Sequence, residues 1–539
     1  MEHFGLWGLI PPVLTIALAF ITKDVIVSLF LGILSGTLIV AGGNPLMALV
    51  NLSDILAGSL ADGWNIRIFL FCALLGGLVG LLSKTGAAIA FGKWASQKVK
   101  GRLGSQIMTW VFGLLIFIDD YFNSLAVGTI MRPITDKTNT PRAKLAYILD
   151  STAAPVCIIA PVSSWVITVM SIVKNSDGFD TLGMSEFSFF IRSIPYNLYA
   201  LLTIIMVVVI IITKRDFGPM AAAHRYAEET GNLFNEKYGD APGEISNIKA
   251  NPKAKPFDMI VPIVVLIVAA VAFFPVTTWM GAIDGETITS FGQAMGSMSL
   301  GSAFNDTDAS MALFYAIIFT LVITLIYYYI RGLFTIKSST EALKEGIGSM
   351  IPALVILTMA WTIGTIIKSS PADGGLGLST YLSDVVVSGG FPLALVPAIV
   401  FLLSALIAFS TGTSWGTFSI MIPITMPIVI GLAQAKGLET SGLANATMIG
   451  VSAVLGGAVF GDHASPISDT TILSSTGAAC PHLEHVATQI PYALFIAVCS
   501  FVGFLFGGLF LNDAIAWLAA IAVFVVGIIF LPKVYKKTA

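Results

Sequence analysis

Little of this chain is charged: Asp, Glu, Lys and Arg make up 11% of its 539 residues, against 56% that are hydrophobic. That balance excludes a solvated globular surface and puts most of the chain in lipid. No G-x-x-x-x-G-K-[ST] sequence occurs, which argues against an ATP-driven pump. The cysteines Cys72, Cys157, Cys480 and Cys499 form no C-x-x-C pair, so they are read as reduced packing residues, without a disulfide frame or a transition-metal site. The start, Met1-Glu2-His3-Phe4, lacks the basic region of a cleavable signal, and the first helix is expected to be retained. The net charge of −3 says little about partners. The expected partners are the bilayer and a small solute or ion, with no nucleic acid and no cofactor.

The chain does contain about a dozen apolar stretches near the ~20 residues that cross a ~30 Å hydrocarbon layer. Open sheets leave backbone groups unpaired in lipid, so an all-α polytopic fold is predicted. Plain spans are predicted near 6–22, 25–42, 66–84, 187–213, 257–279, 308–330, 350–368, 489–511 and 513–531. Segments 143–174 and 443–475 are too long and too polar in the middle for plain helices and are read as broken ones. Stretches 105–131 and 391–432 share an echo: Ile130-Met131-Arg132-Pro133-Ile134-Thr135 lies over Ile420-Met421-Ile422-Pro423-Ile424-Thr425, and Ser124 over Ser414. Gly80…Lys84 against Gly364…Lys368, and Ala153-Ala154-Pro155…Ser163-Ser164 against Ala464-Ser465-Pro466…Ser474-Ser475, repeat the theme in the same order.

The positive charges decide how the echoing stretches sit. Lys84, Lys93, Lys98, Lys100 and Arg102 precede 105–131, and Arg132, Lys137, Arg142 and Lys144 follow it. A spanning 105–131 would put these loops on opposite sides, whereas a re-entrant hairpin keeps both cytoplasmic. The basic loop 214–256, which includes Lys249, is then cytoplasmic too. The acidic 280–307 loop, with Asp284, Glu286 and Asp306, is external, and 391–432 dips in from outside. Lys533, Lys536 and Lys537 leave the C-terminus cytoplasmic, with the N-terminus outside. The prediction is about 11 transmembrane helices plus two re-entrant hairpins and two broken helices, in inverted-topology repeats. The repeats are 1–213 and 257–512, joined by a linker at 214–256, with an extra helix and tail at 513–539.

Acidic groups at membrane depth cost at least ~2.5 kcal/mol on insertion scales and need a reason. Asp119 and Asp120 point ~100° apart on a helix, so one could face a cation and the other a lysine, arginine or backbone partner. Asn123 and Ser124 add neutral oxygens. Around Pro466, which frees backbone carbonyls, stand Asp462, Ser465, Ser468, Asp469, Thr470 and Thr471. Together Asp119, Asp120, Asn123, Ser124, Asp462, Ser465, Ser468, Asp469 and Thr470 are the predicted cation ligands. A salt bridge stitching the tip to a neighbour is the alternative for the paired aspartates.

Thr411, Thr413, Ser414 and Thr417 at the second tip, with Asp150, Ser151 and Thr152, are candidates for a substrate or a second cation. The second tip has no carboxylate of its own, and helix N-termini attract anions. Asp150 is as readily tied to Arg142 or Lys144. His463 is either a pH sensor or a hydrogen-bonded structural residue. His482 and His485, around Glu484, are expected in a surface loop and not at a zinc site. Trp165, Trp361 and Trp415 could line a cavity or simply pack.

The run Gly461-Asp462-His463-Ala464-Ser465-Pro466-Ile467-Ser468-Asp469-Thr470-Thr471, with Asp119-Asp120-Tyr121-x-Asn123, resembles the NhaC family of sodium/proton antiporters. That family includes malate/lactate exchangers and relatives proposed to carry amino acids. The resemblance implies a sodium-coupled secondary transporter of the cell inner membrane, Na⁺/H⁺ antiport first, working by alternating access, in a fold that often forms dimers. The alternative is Na⁺-coupled symport or exchange of a small organic acid or amino acid.

Overall fold

A computed structural model of the chain describes residues 3–22, 24–97, 101–239, 252–305, 307–378, 380–381, 391–466 and 468–530. Lys98, Lys100, Lys249, Asp306, Ile467, Lys533, Lys536 and Lys537 lie outside the described residues. Every regular element among those described is a helix. Nine are long and apolar enough to cross a membrane, or up to eleven if two bent pairs each count as one span.

The bends have local causes. Val25–Val40 is apolar throughout, and the following Gly42 and Gly43 take positive φ before Pro45 starts a new helix, Pro45–Ala61. The pair is bent by 118°. Ile336–Ser349 meets the span after it at 41°. Neither Pro45–Ala61 nor Ile336–Ser349 was among the predicted spans, because polar residues interrupt the apolar run of each. The predicted span 187–213 is interrupted: Glu186–Ser193 gives way to a tight turn at Pro195, which has no N–H to donate, and Leu198–Thr213 carries on alone. The 214–256 linker is helical in part, and Gly218–Thr230 buries Met220 and His224 against the bundle.

Both predicted hairpins form as antiparallel helix pairs, and the two arms of the second are themselves among the nine helices long and apolar enough to cross a membrane. The first has a leading arm, Gly101–Leu115, and a trailing arm, Asp120–Lys137. Ser105 Oγ lies 2.8 Å from Thr138 Oγ1, so the trailing arm ends beside the start of the leading arm. The second has a leading arm, Val396–Thr411, and a trailing arm, Ser414–Ala435, turned at Gly412 with φ +71. The proximal half of the second broken helix, Thr440–Ala464, runs parallel to the leading arm so closely that a Cβ on Gly457 would sit 2.2 Å from the Phe401 carbonyl oxygen, and one on Gly461 2.3 Å from that of Ala405. It runs antiparallel to the trailing arm, with Gly450 against Val429 and Asp462 against Ser414. Both arms of the second hairpin therefore share the face from which the broken helix starts.

The broken helices carry the chain through. The distal half of the second, Asp469–Ala478, runs parallel to the trailing arm of the first hairpin: Tyr121 meets Asp469, Ser124 meets Ser474, and Gly128 meets Gly477. In the first broken helix, the proximal half is Arg142–Ser151 and the distal half is Ser164–Asn175. The distal half runs parallel to the trailing arm of the second hairpin, with Trp165 against Trp415 and, just past its end, Gly178 against Ile430. Each hairpin's trailing arm thus clasps the distal half of the other repeat's broken helix, and the two hairpins enter from opposite faces. This exchange symmetry is that of inverted-topology repeats. The third echo does not survive as a register: the distal halves are capped by Ser163 and Ser468, not by equivalents of one another in the Ser163-Ser164/Ser474-Ser475 alignment.

Candidate functional site

The two tips and the two helix breaks meet in the middle of the bundle. Asp119 is the N-cap of the first trailing arm, and its Oδ1 accepts the Phe122 N–H at 2.9 Å. Asp120 points elsewhere: its Oδ1 accepts the Trp165 indole N–H at 2.9 Å, while its Oδ2 is buried without a partner. Of the two predicted roles, the backbone one falls to Asp119. Asn123 does not offer its oxygen to anything described. Its Nδ2 lies 2.7, 2.8 and 2.9 Å from the carbonyl oxygens of Gly113, Ile116 and Thr152, stapling the tip shut, and its Oδ1 is unpaired. Ser124 Oγ accepts from Ser474 at 3.2 Å.

The second tip, which lacks a carboxylate in sequence, acquires one in space. Asp462 Oδ2 accepts both the Ser414 hydroxyl at 2.7 Å and the Ser414 N–H at 3.1 Å, and its Oδ1 accepts the Ser468 hydroxyl. The N-terminus of the second trailing arm, expected to be free for a substrate anion, is already met by this carboxylate. Thr411 and Thr417 donate to carbonyls of their own segments, Ile407 and Thr413, each at 2.9 Å. Trp165 joins the tips, with its ring 5.6 Å from Trp415 and 6.0 Å from Phe418. Trp361 donates to Ser171 at 2.8 Å.

A third constellation lies between the helix breaks. Asp150 is tied to neither Arg142 nor Lys144. Arg142 holds Asp136 at 3.3 Å, and Lys144 holds the buried Asp216 at 2.6 Å. Asp150 Oδ2 instead accepts from Gln489 Nε2 at 2.6 Å and Thr471 Oγ1 at 3.0 Å, and its Oδ1 is buried and unpaired. Ser151 and Tyr199 take the two ring nitrogens of His463, at 3.2 and 2.8 Å, and Gln489 also donates to the His463 carbonyl. Thr152 bonds back to Ile148 at 2.7 Å.

Of the remaining candidates, Thr470 joins the Asp462 and Asp150 centres. Ser465 donates to Phe409 O at 2.8 Å, Thr470 Oγ1 lies 2.9 Å from Ser468 Oγ, and the exposed Asp469 accepts from Tyr121 OH at 3.2 Å. His482, Glu484 and His485 are not in a surface loop: they open the long helix His482–Phe510, with Glu484 and His485 buried. Glu484 accepts the Asn235 N–H at 3.0 Å. Among the described residues no cluster of His, Cys, Asp and Glu could hold a metal ion.

Asp119, Asp120, Asp150 and Asp462 are all buried, and among the described residues none has a Lys or Arg within 4.0 Å. A carboxylate out of water without a cationic side chain beside it is either protonated and neutral or balanced by a metal ion. Beside Asp119, a largely apolar cavity of about 270 Å³ separates the first trailing arm, at Tyr121 and Phe122, from Val79, Ser83 and Ser349, with the Lys84–Glu345 pair among its lining. Gln489, Tyr121 and Tyr199 were missed as partners in sequence. Gln489 left a signal, a glutamine one turn after His485 in an otherwise apolar helix.

Residues 156–509 match the model of the Na⁺/H⁺ antiporter family. An uncharacterized protein of Haemophilus influenzae is 36% identical over 98% of this chain and 96% of its own length. An uncharacterized Na⁺/H⁺ antiporter of the same organism is 33% identical over 30% of each chain. The malate-2H⁺/Na⁺-lactate antiporter of Bacillus subtilis is 28% identical over 38% of this chain and 40% of its own.

Proposed function

The chain belongs to the Na⁺/H⁺ antiporter family and is a multi-pass secondary transporter, and from that premise we propose that it exchanges Na⁺ for H⁺ by alternating access. The observation that carries this reading is the set of buried carboxylates with no lysine or arginine beside them. Asp120, with one oxygen unpaired in the core, is the sodium-facing group. Asp462 closes the second tip through Ser414 and Ser468, and its own charge asks for a cation nearby. A cation is then admitted while charge balance is kept, and the departure of one must be matched by the arrival of another, which couples the two fluxes. Hairpins entering from opposite faces support an exchange of access between those faces. The first hairpin opens toward the cytoplasm, where its flanking Arg132, Lys137 and Arg142 belong.

The test is flux in proteoliposomes. A sodium gradient is expected to drive a pH change with no organic solute present. Sodium movement that requires an added carboxylate or amino acid would replace antiport by the second reading, exchange of a small organic solute. That reading is favoured by the apolar cavity beside Asp119 and by the malate/lactate relative, and no longer by an open second tip.

A further inference from the structure

We propose that the proton has its own site, separate from the sodium-facing Asp120: a relay in which His482, Ser475 and His485 pass a proton from the surface to Asp150. The inference rests on the antiport reading above and assigns the place of one of its two ions.

The argument is a count of hydrogens. Gln489 gives its amide hydrogens to two acceptors, Asp150 Oδ2 and the His463 carbonyl, so its Oε1 is the atom 2.7 Å from His485 Nε2. His485 must therefore donate from Nε2, and a neutral ring is left with Nδ1 as an acceptor. His482 Nε2 faces the Pro466 carbonyl at 2.7 Å and must donate as well, which leaves its Nδ1 an acceptor too. Both Nδ1 atoms converge on one hydroxyl, Ser475 Oγ, at 3.0 Å from His482 and 2.8 Å from His485, whose Nδ1 also lies 3.3 Å from the Thr471 carbonyl oxygen. That hydroxyl has a single hydrogen, and the Thr471 carbonyl, 2.7 Å away, competes for it.

With both rings neutral, the cluster is short of donors in a buried site, where an unmade bond costs about 1–3 kcal/mol. One added proton cures the shortage, because a protonated ring donates Nδ1–H to Ser475, which then donates onward.

The same residues make a path. His482 is half-buried at the start of its helix, so it meets solvent, whereas His485 and Asp150 are buried. A proton taken up at His482 Nδ1 moves to Ser475 Oγ as that hydroxyl hands its own hydrogen to His485 Nδ1. His485 Nε2 then releases its hydrogen, held at 2.7 Å by Gln489 Oε1, to Asp150 Oδ2, 3.8 Å away, as the Gln489 amide turns to let the two meet. Asp150 becomes a neutral carboxylic acid, and the ring is neutral with its hydrogen on Nδ1. One proton enters and one arrives, and no other group changes charge. The titratable groups around Asp150 are His485, Tyr147 and Tyr199, with Asp462 beyond Thr471 and His463 reached through Ser151. None is a lysine or arginine, so nothing else delivers positive charge there.

The experiment compares two fluxes in proteoliposomes carrying the full chain: sodium-driven proton movement, and ²²Na⁺/Na⁺ exchange at fixed pH, which needs no proton. Ser475→Ala and His482→Gln are expected to slow the proton movement at least tenfold and leave Na⁺/Na⁺ exchange within twofold of wild type. His485→Gln repeats the test from the buried end. Ser475→Ala removes one oxygen from a helix interior, and its exchange activity itself reports folding. Wild-type proton movement in both Ser475→Ala and His482→Gln overturns the relay. So does equal loss of both fluxes in Ser475→Ala protein that still elutes as the wild type does. Absence of sodium-driven proton movement in the wild type would instead sink the antiport reading.

Discussion

The two hairpin tips solve the same problem by different routes. At the first, the acid comes from the hairpin itself: Asp120 has one side-chain donor among the described residues, the Trp165 indole, and keeps one oxygen open. At the second, the acid comes from the neighbouring broken helix, and Asp462 is fully engaged, through two bonds from Ser414 and one from Ser468. An open carboxylate can take a cation at small rearrangement cost, whereas a saturated one works first as a clamp. The tips are therefore alike in charge and unlike in vacancy, and under the proposed antiport the difference points to ion capture at the first tip and closure at the second.

That contrast can be broken or sharpened by mutation. The largest effect is expected from Asp120→Asn, which should lower sodium-driven flux at least about 100-fold, since stranding one partner of a desolvated ion contact costs roughly 3–5 kcal/mol. Wild-type sodium affinity in this variant, measured by flux against sodium concentration, would remove the first tip from the ion site. Asp462→Asn should cost a similar factor in rate, because the second tip loses its clamp. Next comes Trp165→Phe, which keeps an aromatic ring but takes away the one side-chain donor to Asp120 among the described residues. Such a bond to a charged group is worth about 1.5–3 kcal/mol, so KM for Na⁺ should rise about tenfold or more.

Ser414→Ala should do less, about threefold to tenfold on rate, because the Ser414 N–H and Ser468 still hold Asp462. An effect larger than that of Trp165→Phe would reverse the ranking of the tips. Thr417→Val is expected to change flux by less than twofold, since its hydroxyl only bonds back to Thr413. A large loss there would return the second tip to the role of solute cradle.

Much of this architecture was legible in the sequence, because lipid makes one-dimensional rules strong. Apolar length marked the spans, and charge on the flanks of 105–131 marked the hairpin, which Ser105 and Thr138 close. The separation of Asp119 from Asp120 was expected from helix rotation, but it comes from Asp119 standing outside the helix as its extended N-cap, with Asp120 the first helical residue. Of the missed helices, Ile336–Ser349 is amphipathic and Pro45–Ala61 has its apolar run interrupted at Asn51, Ser53 and Asp54, so a search for apolar runs passes over both. The break at Pro195 was a local signal that went unused.

The pairings that make the site were not legible. Ser414 to Asp462, Asp150 to Thr471 and Gln489, and Trp165 to Asp120 join segments far apart in the chain, and their choice depends on how two repeats interlock. Asn123 shows the limit most plainly: its residue type suits an oxygen ligand, and only its surroundings, three carbonyls within 2.9 Å, make it a cross-link.

The Gly128–Gly477 contact has a mechanical meaning. The backbones of the first trailing arm and the second broken helix touch there, with no room for a Cβ on Gly128, which would sit 2.7 Å from Gly477 carbon. Two rods in bare contact cannot slide by the width of a side chain without prying apart. In the proposed alternating access, the first trailing arm and the distal half of the second broken helix would then travel together as one piston, with the hinges outside this contact.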